Sequence, residues 1–216
     1  KKIKAMLLLS QHSFNEPGLP EEFIPLKKIF KKAGKIRDAD VNTGLLEEHH
    51  IKDKKIKAAL KKMLKEKGKR FSKNTGVYRE TAAKQEKLLL AKLTELPDEK
   101  IRQLFHKELR LLSEKAHLRL GTLQLHECRK KIKSLRYAFD TLPRITAQKI
   151  KLNKFYLKKL EEVIGAWHDV VIIIELLREE KYKPAEIPRK LLREKKKLRE
   201  KVHDLFADFH RDVLLA

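Results

Sequence analysis

His126-Glu127-Cys128-Arg129-Lys130-Lys131-Ile132-Lys133-Ser134-Leu135-Arg136-Tyr137 carries two messages at once. Wound at about 100° per residue, it sorts into two faces. Cys128, Ile132 and Leu135 fall on one side and continue into Phe139 and Leu142, a core stripe. His126, Arg129, Lys133, Arg136 and Tyr137 fall on the other, flanked by Lys130. Residues three and four apart meet on a helix surface, so these cationic groups stack along about three turns. Like charges so placed repel, and Glu127 points sideways rather than into the row. The row therefore reads as uncompensated and in want of an anion. A lysine-rich face alone is ordinarily a solvated surface. Here Arg and His are ordered among the Lys, which favours a binding row.

Outward from this segment, apolar residues recur at three- and four-residue spacing almost throughout, and period-2 alternation is absent. The chain is expected to be all-α. Breakers divide it into about seven helices. One reaches from the start to about Phe14, and another runs from about Glu21 to His50 with Pro25 in its first turn. A long stretch from Asp53 to Leu96 carries Gly68 and Ser72-Lys73-Asn74-Thr75-Gly76 as potential breaks. Asp98 is placed to cap the next helix. A helix from about Gly121-Thr122 ends before Pro143, one runs from about Thr146 to Glu180, and a last helix follows Pro184 and Pro188. Long helices with short connections imply bundles.

Segments also recur. Lys1-Lys2-Ile3-Lys4-Ala5 returns as Lys130-Lys131-Ile132-Lys133-Ser134, and Leu26-Lys27-Lys28 as Leu157-Lys158-Lys159. Gly34-x-x-x-Asp38 returns as Gly165-x-x-x-Asp169, and Leu45-Leu46 as Leu176-Leu177. Collinear Gly, Asp and Leu-Leu matches point to an internal duplication. The expected organisation is one domain over residues 1–216. It comprises a first repeat of about 1–50, linking helices of about 51–120, a second repeat of about 121–182 and a C-terminal helix of about 186–216. Two similar bundles would then be related by a pseudo-two-fold axis. Lys1 and Lys4 stand where Lys130 and Lys133 stand, while Leu7 and Leu8 replace Arg136 and Tyr137. The counterparts of His126 and Arg129 would precede residue 1.

Composition narrows the partner. With 53 Lys and Arg against 30 Asp and Glu, the formal net charge is +23, which points to an anionic partner. Hydrophobic residues make up 41%, too many for a disordered basic tail. No stretch reaches the ~20 apolar residues of a membrane span. Cys128 is the only cysteine, which excludes an internal disulfide and a Cys-based zinc site and leaves the cytoplasm as the expected location. His49 and His50 point about 100° apart on a helix and make poor joint metal ligands. Asp38 and Asp169 read as capping, packing or pairing groups rather than as acid and base, and Trp167 as a core residue beside Val163 and Val171. Glycine-rich phosphate loops, nucleophile elbows and paired carboxylates are missing, so neither an enzyme nor a cofactor is expected. Aromatics sit on apolar faces, which leaves a nucleic-acid-binding domain without a stacking platform and makes it the weaker alternative, beside an adaptor for an acidic partner.

The pattern His126-x-x-Arg129-x-x-x-Lys133-x-x-Arg136-Tyr137 resembles the hallmark of the CHAD (conserved histidine α-helical) domain family. Ile36-Arg37-Asp38-Ala39-Asp40-Val41 resembles the Arg-Asp-x-Asp-Val stretch of that family's first half, and Gly165-Ala166-Trp167-His168-Asp169 its second-half counterpart. The resemblance implies an all-α domain of two bundles with a basic channel that binds inorganic polyphosphate. It also implies association with polyphosphate-handling enzymes or granules. By position, His126, Arg129, Lys130, Lys133 and Arg136 would line the channel, with Lys1 and Lys4 from the first half. Tyr137 and Arg37 are secondary candidates. Leu7 departs from the pattern where an Arg would stand.

Overall fold

A computed structural model describes Leu7 and residues 21–92, 97–116, 118 and 120–215. Lys1, Lys4 and nearly all of the helix expected before Phe14 lie outside these residues. Among the described residues there are nine α-helices and no strand. They are α1 (Phe23–Glu48), α2 (Lys54–Lys73), α3 (Thr75–Lys92), α4 (Asp98–Ala116), α5 (Thr122–Phe139), α6 (Arg144–Ile150), α7 (Lys154–Glu179), α8 (Arg189–Ala207) and α9 (Phe209–Asp212). None is long and apolar enough to cross a membrane. The all-α expectation holds.

The chain divides into two compact units. The first comprises Lys1–Gly18, Thr94–Val171 and Pro188–Ala216, and the second Leu19–Leu93 and Ile172–Ile187, so the division falls inside α7. The core of the first unit is built from one stripe per helix. Phe105, Leu109 and Leu112 come from α4, and Leu125, Cys128, Ile132 and Leu135 from α5. Leu157, Leu160, Ile164 and Trp167 come from α7, and Val202, Phe206 and Phe209 from the C-terminal helices. Phe105, Trp167 and Phe209 are fully buried, and each contributes about 3 kcal/mol of transfer free energy. Trp167 lies with Val163 and Val171 as anticipated. The second unit buries Ala39 and Leu46 of α1, Ile56 and Leu60 of α2, Leu89 of α3, and Ile173, Ile174 and Leu177 at the end of α7. Asp53 caps α2 by accepting from the Ile56 N–H at 2.8 Å, and its other oxygen accepts from the Tyr182 hydroxyl at 2.7 Å. Those two bonds, the backbone one first, hold its carboxyl below the usual range.

One of the two potential breaks is realised, and two boundaries differ from expectation. Gly68 stays inside α2, and the break falls at Asn74, whose side-chain amide donates to the Arg70 carbonyl at 2.7 Å. Asp98 is the first helical residue of α4 rather than its cap. Its carboxylate instead accepts from Thr146 at 2.5 Å and Lys149 at 3.1 Å on α6. The single helix expected from Thr146 to Glu180 is two helices, α6 and α7, because the chain end intervenes. Lys151 takes a left-handed φ of 53°, its carbonyl accepts from the Leu215 N–H at 2.7 Å, and the Asn153 N–H donates to the Val213 carbonyl at 2.9 Å. Asn153 then caps α7, accepting from the Tyr156 N–H at 3.0 Å and donating to the Asp212 carbonyl at 2.8 Å. No local breaker marks this turn. It is imposed by residues some sixty positions away.

Asn153→Ala removes the α7 cap and the tie to Asp212 together. Urea unfolding is expected to show a loss of roughly 1–2 kcal/mol, and an unchanged midpoint would contradict this account of the break.

Candidate functional site

The α5 row meets α7 along an antiparallel seam. Each contact pairs a residue lower on one helix with one higher on the other. The rings of His126 and His168 lie 4.7 Å apart. The Arg129 guanidinium lies against Gly165, where an added Cβ would sit 3.0 Å from its Nη2. Lys133 Nζ is 3.0 Å from Glu161 Oε1, and Arg136 Nη1 donates to Glu161 Oε2. The seam closes on an ion pair between Lys154 and Asp140. From His126 to Asp140 it covers fifteen residues, about 21 Å along the helix axis.

These residues do lie opposite the core stripe of α5, but their row is not without an acid. Glu161 is only 8% exposed and gives one oxygen to each of two cations. The reading of an uncompensated row is therefore corrected, since a carboxylate from α7 enters it. Lys130 pairs with Glu127 at 2.5 Å and stands exposed at the edge. Lys131 turns to the buried Glu108 of α4. Three cations (Arg129, Lys133, Arg136) against one carboxylate (Glu161) leave the seam two positive charges in excess. Removing those cations would strand a buried carboxylate, at a cost of about 3–5 kcal/mol, rather than relieve repulsion.

Nor is this face a solvated one. His126, Arg129, Lys133, Arg136 and Tyr137 are all half-buried, and the side chains of Lys133 and Arg136 are 25% and 18% exposed. The buried Nδ1 atoms of His126 and His168 and the Nε atoms of Arg129 and Arg136 have no hydrogen-bond partner among the described residues. Such atoms cost about 1–3 kcal/mol each unless something meets them. Tyr137 packs against the core. Arg37 is exposed on α1 in the second unit. Asp38 and Asp169 lie well inside α1 and α7, so neither caps a helix. No cluster of three or more His, Cys, Asp or Glu that could hold a metal occurs among the described residues.

Among the seam residues that the sequence did not offer as site candidates are Glu161 and His168, the latter quoted only within the Gly165–Asp169 motif. Their signal was present, because Glu161, Gly165 and His168 follow at four and three residues and so share one face of α7. What the sequence does not state is that this face opposes α5.

Both histidines titrate below the usual range. Burial is the main cause for each. The Lys130 and Arg129 charges add to it at His126, partly offset by Glu127, and His126 and Arg129 add to it at His168. Because the folded values are lowered, the unfolded chain takes up protons first as the pH falls. The contribution of these two groups to stability is full above the ordinary histidine value of about 6.5 and declines below it. The double substitution His126→Gln, His168→Gln is expected to shrink the fall in urea midpoint between pH 7.5 and pH 5.5 at fixed ionic strength. An undiminished fall would show that these imidazoles are not held neutral by the fold.

No curated protein and no solved structure matches the chain. The family model of the CHAD domain matches residues 1–178, which takes in α1 to α5, both sides of the seam and the histidine pair. Polyphosphate binding is the known association of that domain. With the histidine, arginine and lysine of its hallmark on one half-buried helix face, this chain belongs to the CHAD domain family.

Proposed function

We propose that the protein binds inorganic polyphosphate without catalysing a reaction on it, through a basic channel to which α5 contributes His126, Arg129, Lys133 and Arg136. Lys130 contributes from the rim, and Lys1 and Lys4 from the first half of the chain. One observation carries this reading: half-buried Arg and His groups with unmet polar atoms stand in a row that keeps two excess positive charges. Arginine forks and lysine point charges suit the repeating oxygens of a phosphate chain. A polyanion in the row would also favour protonation of His126 and His168.

We also infer that α1 and α7 are duplicated copies. Each has 26 residues, with both ends offset by 131 positions. Leu46 and Leu177 are buried at matching places. The exits match as well. His50 and Lys181 have φ of 57° and 66°, and the Ile51 N–H donates to the Leu46 carbonyl as the Tyr182 N–H does to the Leu177 carbonyl. At that offset Arg37 takes the position of His168, which supports its candidacy, and Phe30 that of Glu161. Leu7 stands where Arg136 does, so the copy without the arginine also lacks the acid. A cytoplasmic location and association with granules or polyphosphate-handling enzymes belong to the same proposal.

The test must respect Glu161. Arg129→Gln, Lys133→Gln and Arg136→Gln combined with Glu161→Gln changes the charge by −2, as does a control with Lys196→Gln and Lys197→Gln on α8. The seam variant is expected to weaken binding of long-chain polyphosphate about a hundredfold and the control less than about threefold. Equal losses would reduce the site to general attraction, and tighter binding of DNA than of polyphosphate at equal phosphate concentration would replace the ligand. Glu161→Gln alone removes the internal competitor for Lys133 and Arg136. It is expected to tighten polyphosphate binding several-fold in titration calorimetry, and unchanged or weaker binding would show that phosphate does not reach these two groups.

A further inference from the structure

The second unit holds a basic cluster of different make. On α1, Lys32 and Lys35 lie one turn apart, as do Lys67 and Arg70 on α2, and the four line a cavity of about 350 Å³ with Phe71 and Tyr78. Among the described residues no carboxylate lines it. Unlike Lys133 and Arg136, none of the four cations is in an ion pair among the described residues. Lys32 meets the Tyr78 hydroxyl, to which it donates at 3.2 Å, and the Tyr78 ring, whose centroid lies 5.2 Å from its Nζ. On α5 one carboxylate offsets part of the positive charge, whereas no acid in the lining of this cavity offsets any of it.

The cavity also has what the α5 row lacks. Phe71 and Tyr78 are half-buried, with ring centroids 4.9 Å apart and planes tilted by 45°. They stand on either side of the break at Asn74, which is fixed twice. The Asn74 amide nitrogen donates to the Arg70 carbonyl at 2.7 Å, and the Thr75 hydroxyl to the Ser72 carbonyl at 2.8 Å. Asn74 also lines the cavity, and its side-chain oxygen is chemically an acceptor. A bare phosphate chain has no use for two rings or for an amide acceptor. A ligand with a planar, amine-bearing ring system at one end and phosphates at the other uses all of them, and the volume suits a small molecule.

We propose that α1, α2 and α3 form a second anion site that takes an adenine nucleotide, with phosphates on Lys35, Lys67 and Arg70 and the base against Phe71 and Tyr78. Lys32, held over the Tyr78 ring, stands between the two halves of such a ligand. The arrangement combines charge with stacking, and a base on an aromatic face adds roughly tenfold or more in affinity.

Calorimetry on the full chain with ATP, tripolyphosphate and adenosine tests this at fixed salt. ATP is expected to bind about tenfold tighter than tripolyphosphate to the chain carrying the four seam substitutions, and adenosine not measurably. Lys35→Gln with Arg70→Gln, both exposed, should weaken ATP about tenfold or more. Tyr78→Leu should bring ATP down to the tripolyphosphate level, and Tyr78→Phe should keep most of the preference. Equal affinity for ATP and tripolyphosphate in the seam variant overturns the proposal without needing any change in the cavity. So does loss of ATP binding on the seam substitutions alone, or indifference of ATP to the Lys35 and Arg70 changes. Failure of polyphosphate to respond to the seam substitutions would count against the α5 site and leave this one standing.

Discussion

Glu161 sets the terms for the seam. A carboxylate 8% exposed is stable only if its charge is met, and it is met twice, by Lys133 and Arg136 on the facing helix. That requirement fixes the rotation of α5 about its axis. With the basic edge turned to α7, Cys128, Ile132 and Leu135 must point into the core. It also fixes the height at which the helices meet, which puts Arg129 beside Gly165 and His126 beside His168. A side chain at residue 165 would push the guanidinium away, since Cβ and Nη2 would be only 3.0 Å apart. Gly165 serves close approach rather than backbone freedom, since its conformation is helical and a Cβ there would ask the guanidinium to give by a few tenths of an ångström.

The same geometry explains how a cationic row can be ordered before any phosphate arrives. Exposed lysines carry much rotamer entropy and give up part of it on binding. Lys133 and Arg136 have already given it up to Glu161, while Arg129 is confined by the α7 backbone. One acid among three cations is thus a compromise. It organises the row and still leaves net positive charge to attract a polyanion.

Helix periodicity was legible because it is local, and the faces of α5 follow from spacing alone. The break at Asn74 was legible as a region because its residues are poor helix formers, though the exact position depended on an amide reaching back to Arg70. What stayed hidden was set by partners far along the chain. Lys151 to Asn153 contains nothing that must end a helix, and the turn there is made by Val213 and Leu215. Glu161 looked like one more charge on a mixed helix, because the residues that neutralise it lie 25 and 28 positions earlier. Spacing within an element told which residues share a face, and only packing told which faces meet.

The core of the first unit reaches past the segment that defines the family. The family match stops at residue 178, yet Val202, Phe206, Phe209 and Val213 lie in one cluster with Ile132 and Trp167, and Arg199 lies 5.7 Å over the Trp167 ring. The segment matched by the family model and the unit of folding therefore do not coincide in this protein. A segment cut at residue 178 would carry the whole cationic hallmark into a new chain but leave behind part of the cluster that buries Trp167. To arrive folded, it would have to bring its last helices with it or find a substitute for them in its new host.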